Sequence, residues 1–276
     1  MSFIVAVVNN KGGVGKSTVS ANLSHAFTLA NKGSRVLAVD LDSQCNLSDI
    51  MVEPKAISSS LYELLNDTSV PVEDCIYPTA YENVFALPNV PESASLEPKL
   101  INLDDHSYSL LRTRIREYAL ANYDLTIMDC PPNLGLFVLQ AMVASDFVLV
   151  PIECASRFAI KGLEGTIKTI ESIQKNLNPD LRFLRLLINR VDRRTAIARS
   201  MMEQVRVWHK GRVFDTVIST NTDIQQAELH LKSVIRHSPR SSGAKQFKLL
   251  AIELAKLLEK EDRQLNISMG AERANA

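Results

Sequence analysis

The stretch from Asn9 to Thr18 reads Asn-Asn-Lys-Gly-Gly-Val-Gly-Lys-Ser-Thr, and it restricts the possible folds of this chain more than any other. An apolar β-branched run, Ile4-Val5-Ala6-Val7-Val8, precedes it, and a helical pattern starting near Thr18 follows. Strand, glycine loop and helix is the setting that a phosphate-binding loop requires. Glycines let successive backbone N–H groups turn inward onto phosphate oxygens, and the helix N-terminus adds partial positive charge. Gly12, Gly13, Val14, Gly15, Lys16, Ser17 and Thr18 form the expected cradle. Lys16 is placed to reach the β- and γ-phosphates, and the Ser17 hydroxyl to ligate Mg²⁺.

The general motif has glycine where this chain has Asn10, and a second lysine, Lys11, opens the loop. In both respects the loop resembles the deviant Walker A loop of the ParA/MinD ATPase family. The resemblance implies ATP and Mg²⁺ as ligands. It also implies that Lys11 crosses a dimer interface to the partner's nucleotide, so the ATP-bound form is a homodimer and Lys11, Lys16 and Asp42 act in catalysis.

After the loop, apolar residues from Val19 to Ala30 recur near helical spacing, and Gly33 is a C-cap candidate. Arg35 to Asp40 reads as a buried parallel strand, completing a βαβ unit. That strand ends in Asp40-Leu41-Asp42-Ser43-Gln44, at the strand end where open α/β sheets bind ligands. The segment is similar to the family's Asp-x-Asp-Pro-Gln, with Ser43 in place of proline. The resemblance implies that Asp42 positions the attacking water; capping of the next turn is the alternative. Tyr123 to Asp129, followed by Cys130-Pro131-Pro132-Asn133-Leu134-Gly135, resembles the Walker B strand and switch loop. It implies that Asp129 accepts from Mg²⁺-bound water.

Further buried strands are expected at Asp146–Ile152 and Arg182–Asn189, with a long amphipathic helix over Phe158–Leu177 between them. Asn189-Arg190-Val191-Asp192 resembles a base-recognition segment, and Asn189 can offer donor and acceptor to adenine. Ala196–Val207 reads as a helix and Val213–Ile218 as a short strand. At Ser219-Thr220-Asn221-Thr222-Asp223 the family usually has Pro-Arg-Asn-x-Arg. Asn221 agrees and joins the nucleotide candidates, whereas Asp223 reverses a charge. Ser238 to Ala244 resembles the family's lead into its last helix, which carries Phe247, Leu250, Leu254 and Leu258 at core spacing.

Residues 47–122 are the least legible. Helices are expected over Ser58–Leu65 and Ser107–Ala121 and a strand over Asn83–Pro88, with nothing that forces a second domain. The expected fold is single-domain α/β: a doubly wound, mostly parallel sheet flanked by helices. The ATPase domain is set at 1–262, with a polar, disordered tail at 263–276.

Net charge is zero, so bulk charge announces no nucleic-acid partner, but its distribution is uneven. Gln44–Ser109 carries roughly −9 and Arg190–Lys248 roughly +7. The basic stretch suits non-specific DNA, with Arg193, Arg194 and Arg199 as candidates and Lys232, Arg236, Arg240, Lys245 and Lys248 as extensions. Arg194 is the leading candidate. The four cysteines make no C-x-x-C pair, which favours reduced thiols and argues against a bridged iron–sulfur cluster. No signal peptide or membrane span is legible, so a cytoplasmic, nucleoid-associated protein is expected. With the first strand read from Ile4, no operator-binding helix-turn-helix is expected ahead of it.

The resemblance covers about residues 3–260. It implies an ATPase driving plasmid or chromosome partition with a ParB-like or other adaptor protein. One alternative is positioning of a protein cargo, such as a microcompartment or chemoreceptor cluster, on the nucleoid. The other is a MinD-like membrane-surface ATPase, which would need a basic amphipathic C-terminal segment that the tail lacks.

Overall fold

The computed structural model describes residues 2–101, 105–154 and 157–274. Seven strands form one sheet: β1 (Phe3–Val7), β2 (Val36–Asp40), β3 (Tyr77–Pro78), β4 (Val84–Leu87), β5 (Leu125–Asp129), β6 (Phe147–Glu153) and β7 (Arg182–Asn189). Their order is β3-β4-β2-β5-β1-β6-β7, and every neighbouring pair except β3·β4 is parallel. The β2 and β5 ends are in register, so Asp40 and Asp129 are paired neighbours on adjacent strands.

The helices are α1 (Lys16–Ala30), α2 (Asn46–Met51), α3 (Leu61–Asn66), α4 (Leu96–Ile101), α5 (Leu110–Asn122) and α6 (Leu136–Ala144) in the first half. In the second half they are α7 (Arg157–Asn176), α8 (Ala196–Trp208), α9 (Thr222–Leu229), α10 (Val234–His237) and α11 (Ser242–Ala274). They cover both faces because alternate strand residues point to opposite sides. In β1, Phe3, Val5 and Val7 enter a core with Val19, Leu23 and Phe27 of α1 and Phe247, Leu250, Leu254 and Leu258 of α11. Ile4 and Ala6 face the other way, into a core built with α5, α6, α7 and α8. Phe247 is fully buried, and its truncation to alanine should cost about 3–5 kcal/mol.

The expected α/β architecture is present as a single sheet, and residues 47–122 belong to it. Their strand β4 pairs with β2, and Ser60 starts α3 through a capping box with Glu63.

Two expectations differ from the structure. Val213–Ile218 is not a strand: Val213 makes one isolated bridge to Leu186 of β7, and just past the segment Ser219 bridges Val191, beyond the end of β7. Between them, the N–H groups of Asp215 and Thr216 donate to the Glu253 carboxylate of α11, which bends the segment away from a ladder. The boundary drawn at residue 262 is also no break in the backbone, since α11 runs to Ala274. That stretch is polar but holds Glu, Arg, Gln and Ala, which propagate a helix well. Among the described residues no helix is long and apolar enough to cross a membrane.

Candidate functional site

The parallel ends of β1, β2 and β5 converge on a cavity of about 340 Å³. Gly12, Gly13, Gly15, Lys16, Ser17 and Thr18 line one side, Asp42 and Gln44 another, and Pro132, Arg190, Glu228 and Leu231 the rim. Gly13 and Gly15 have φ of 77° and 82°, in the left-handed region that favours glycine. A Cβ on Gly15 would also fall 2.6 Å from Asn189 Nδ2, so no side chain fits there. Immediately after Gly15 the chain enters α1, which aims its free N–H groups at the cavity.

Lys16 is buried, and its Nζ donates to the carbonyls of Asn9 (3.1 Å) and Lys11 (3.5 Å). Burial lowers its pKa, with the Asp129, Cys130 and Asp42 groups opposing. An anion at the loop would favour the charged ammonium.

Asp42 is buried at the cavity wall. Its Oδ1 accepts from the Gln44 N–H at 3.0 Å, so it does cap the next turn while lining the site. Its own N–H donates to Asp40 Oδ1 at 3.0 Å. Asp40 Oδ2 in turn accepts from the N–H (2.8 Å) and the hydroxyl (2.7 Å) of Ser48, and Ser48 Oγ accepts from the Asn89 N–H. Asp40 therefore holds the Asp42 loop and the start of α2 together. Burial raises its pKa to about 6 against those hydrogen bonds.

Asp129 is fully buried at the end of β5. Its Oδ1 accepts from Ser20 Oγ at 2.9 Å, whereas its Oδ2 has no hydrogen-bond partner. Burial first, and then the neighbouring Asp40 carboxylate, push its pKa up to about 8, opposed by the Ser17 and Ser20 hydroxyls and by Lys16. An orphaned, buried carboxylate oxygen beside the Ser17 helix start is what a hydrated Mg²⁺ would satisfy. Among the described residues no group of three or more His, Cys, Asp or Glu side chains could hold a metal ion. A cation here would therefore depend on phosphate oxygens and water for most of its ligands.

Lys11 does not point inward. Its Nζ pairs with Glu153 Oε2 at 3.0 Å, at the exposed end of β6. Asn189 lies against the loop, its Nδ2 donating to Val14 O at 2.7 Å. Asn221 is the N-cap of α9: Oδ1 accepts from the Asp223 N–H, and Nδ2 donates to Ser242 Oγ. Both asparagines border a second, smaller hollow that also includes Thr18, Arg190, Ile218 and Glu228. The switch segment leads into α6, whose Leu136 N–H donates to Glu97 Oε1 of α4 at 2.5 Å.

The basic candidates fall into two groups. Arg193 and Arg194 lie just before α8 and Arg199 within it, and Arg194 is paired through two nitrogens with Asp192. That pairing holds the Asp192 carboxyl down at about 2. Arg236 and Lys248 both act on His25 of α1, and the Arg236 guanidinium sits 5.8 Å from the centre of the Tyr81 ring. Lys232 and Lys245 are exposed near them in sequence.

Sequence reasoning missed Arg190 and Glu228 as site residues. Arg190 adopts φ of 53° and donates to Gly13 O at 2.6 Å. Glu228 accepts from Thr18 Oγ1 across 210 residues of chain. Neither carries a local signal. Asp40, the other half of the strand-end pair, lies behind Asp42 and spends its oxygens on the Asp42 N–H and on Ser48.

A family model described as an AAA domain matches residues 2–183. The sporulation initiation inhibitor protein Soj of Bacillus subtilis strain 168 is 37% identical over 92% of this chain and 99% of its own length. The chromosome partitioning protein ParA of Myxococcus xanthus is 36% identical over 92% of this chain and 88% of its own. Among solved structures, the septum site-determining protein MinD of Pyrococcus horikoshii, complexed with Mg-ADP, superposes with a TM-score of 0.74 at 29% identity, covering 94% of this chain and 98% of that one. Identity sustained over nearly the full length, on a sheet whose loop carries Lys11 as well as Lys16, makes this chain a member of the ParA/MinD family of P-loop ATPases.

Proposed function

We propose that this protein is an ATP-dependent partition ATPase that dimerises on ATP, binds DNA without sequence preference, and works with a ParB-like or other adaptor to segregate a chromosome or plasmid. The observation that carries the reading is a cavity lined by the glycine loop, Lys16, Ser17 and Asp42, with the unpaired Asp129 carboxylate oxygen buried among the same strand ends and Lys11 half-exposed on the loop. Kinship over most of the chain with a protein named for chromosome partitioning supports it.

In this mechanism the loop N–H groups and the α1 N-terminus cradle the phosphates. Lys16 exchanges its two carbonyl acceptors for phosphate oxygens. Ser17 and Asp129 would hold Mg²⁺, Asp129 through the ion's hydration water, and the ion would supply charge neutralisation on the transferring phosphoryl group. Asp42 orients the attacking water with the carboxylate oxygen not engaged by Gln44. Lys11 leaves Glu153 and reaches the nucleotide of the second copy, which makes turnover depend on the dimer. Slow hydrolysis follows from this design, because Lys11 reaches the nucleotide only from the second copy, and the adaptor accelerates it. Asn189 and Asn221 border the base and exchange their present contacts for it.

DNA contacts are assigned to Arg193, Arg194 and Arg199 and to the group of Lys232, Arg236, Lys245 and Lys248. Such contacts neutralise phosphates and bring nucleoid association with them. Asp192 offsets part of the Arg194 charge, so the second group supplies more of the binding. The test is an ATP-dependent DNA mobility shift across a salt series. Binding that weakens linearly in log salt, and is lost when Arg236 and Lys248 are changed to glutamate, supports the reading. Absence of any ATP-dependent DNA binding at low salt overturns it.

A further inference from the structure

Three residues line both the phosphate cavity and the smaller hollow beside Asn189 and Asn221: Thr18, Arg190 and Glu228. A nucleoside triphosphate that places phosphates in the first and a base in the second must place its ribose between them. Arg190 is a donor only and already serves Gly13 O. Glu228 is the acceptor at this crossing point, with two carboxylate oxygens able to receive two hydroxyl protons.

We propose that Glu228 forms a ribose subsite, accepting from the vicinal 2′- and 3′-hydroxyls of the bound nucleotide and selecting ribonucleotides over deoxyribonucleotides. The inference rests on the nucleotide reading of the cavity. A contact already present in the structure supports it: Thr18 Oγ1 donates to Glu228 Oε1, so the carboxylate is engaged by a hydroxyl before any sugar arrives. That hydrogen bond ties α9 to α1 and holds the base hollow to about 20 Å³, room for little more than a water. A purine enters only if α9 moves away from Thr18. That movement leaves the Glu228 carboxylate without its donor, and the ribose hydroxyls replace it. The exchange conserves a charge-assisted hydrogen bond while opening the hollow, whereas a deoxyribose leaves part of the carboxylate unpaired.

The test is isothermal titration of the nucleotide-free protein with Mg²⁺ and ATP, 2′-deoxy-ATP or 3′-deoxy-ATP, for the wild type, Glu228→Gln and Glu228→Ala, with circular dichroism to verify folding. Wild type should bind ATP on the order of tenfold more tightly than either deoxy analogue. Glu228→Ala should bind all three within about twofold of one another, and Glu228→Gln, which keeps one acceptor, should fall between. Equal wild-type affinity for all three nucleotides overturns the ribose subsite and leaves the nucleotide site standing. Discrimination retained in a folded Glu228→Ala also overturns it. Failure of wild type to bind any of the three overturns the nucleotide reading itself.

Discussion

Lys11 Nζ lies 3.0 Å from Glu153 Oε2, so the lysine assigned to a second copy's nucleotide is held on its own subunit at the end of β6. The pair is partly exposed, at 42% and 22% for the two side chains, and is therefore weak. A weak tether can be exchanged for a triphosphate with far more charge.

Glu153→Gln should release Lys11 and lower the ATP concentration needed for half-maximal dimerisation by up to about fivefold. Its effect on folding stability should stay below about 1 kcal/mol. Lys11→Ala should remain a monomer in saturating ATP. Light scattering across an ATP titration measures both; an unchanged ATP dependence in Glu153→Gln would show that the ion pair does not compete.

Asp42→Ala should bind ATP and hold the dimer, with turnover reduced at least about a hundredfold. Loss of the Gln44 hydrogen bond should destabilise the fold by about 1 kcal/mol. Single-turnover hydrolysis and size-exclusion chromatography separate these effects. A monomeric Asp42→Ala in saturating ATP would remove Asp42 from the water-positioning role.

Asp129→Asn keeps the shape of the side chain and replaces an acid that burial and Asp40 already hold largely protonated near neutral pH. The nucleotide-free variant should be as stable as the wild type or more stable, by about 1 kcal/mol. It should lose the additional thermal stabilisation that Mg²⁺ gives to the ATP complex. A variant that still gains that increment would show that Asp129 does not hold the ion.

His25 gives a pH dependence outside the nucleotide site. Its Nδ1 lies 2.6 Å from Ser233 Oγ and its ring 4.4 Å from that of Tyr81. Burial first, then Arg236 and Lys248, lower its pKa from 6.5 to about 4. Between those values the unfolded chain binds the proton and the folded one does not. The contribution to stability is therefore complete above about pH 6.5 and is lost as pH falls toward 4, with an upper bound of about 3 kcal/mol. The raised values of Asp40 and Asp129 act in the opposite sense over the same range, so the His25 contribution is read as a difference: in urea unfolding from pH 7 to pH 4.5 the wild type should lose up to about 3 kcal/mol relative to His25→Gln.

The phosphate loop, the βαβ opening and the acids at Asp42 and Asp129 were legible because each is local. A left-handed glycine, a strand end and a helix start are dictated by a few consecutive residues. The alternation Phe3, Val5, Val7 against Ile4, Ala6 similarly announces a strand buried on both faces, which is how the doubly wound sheet could be read.

Tertiary structure alone decided which distant groups meet. Glu228 reaches Thr18, Arg190 reaches Gly13 O, Glu97 reaches the start of α6, and Lys11 settles on Glu153. Asp215 and Thr216 give their N–H groups to Glu253 instead of a strand ladder. Each of these contacts joins segments far apart in sequence. Their geometry follows from how helices seat on the two faces of the sheet, which no short stretch of residues encodes. The sequence by itself determined the glycine loop and the acids at two strand ends, because each is written in consecutive residues; only the tertiary structure decided that α9 meets the start of α1 through Glu228 and Thr18.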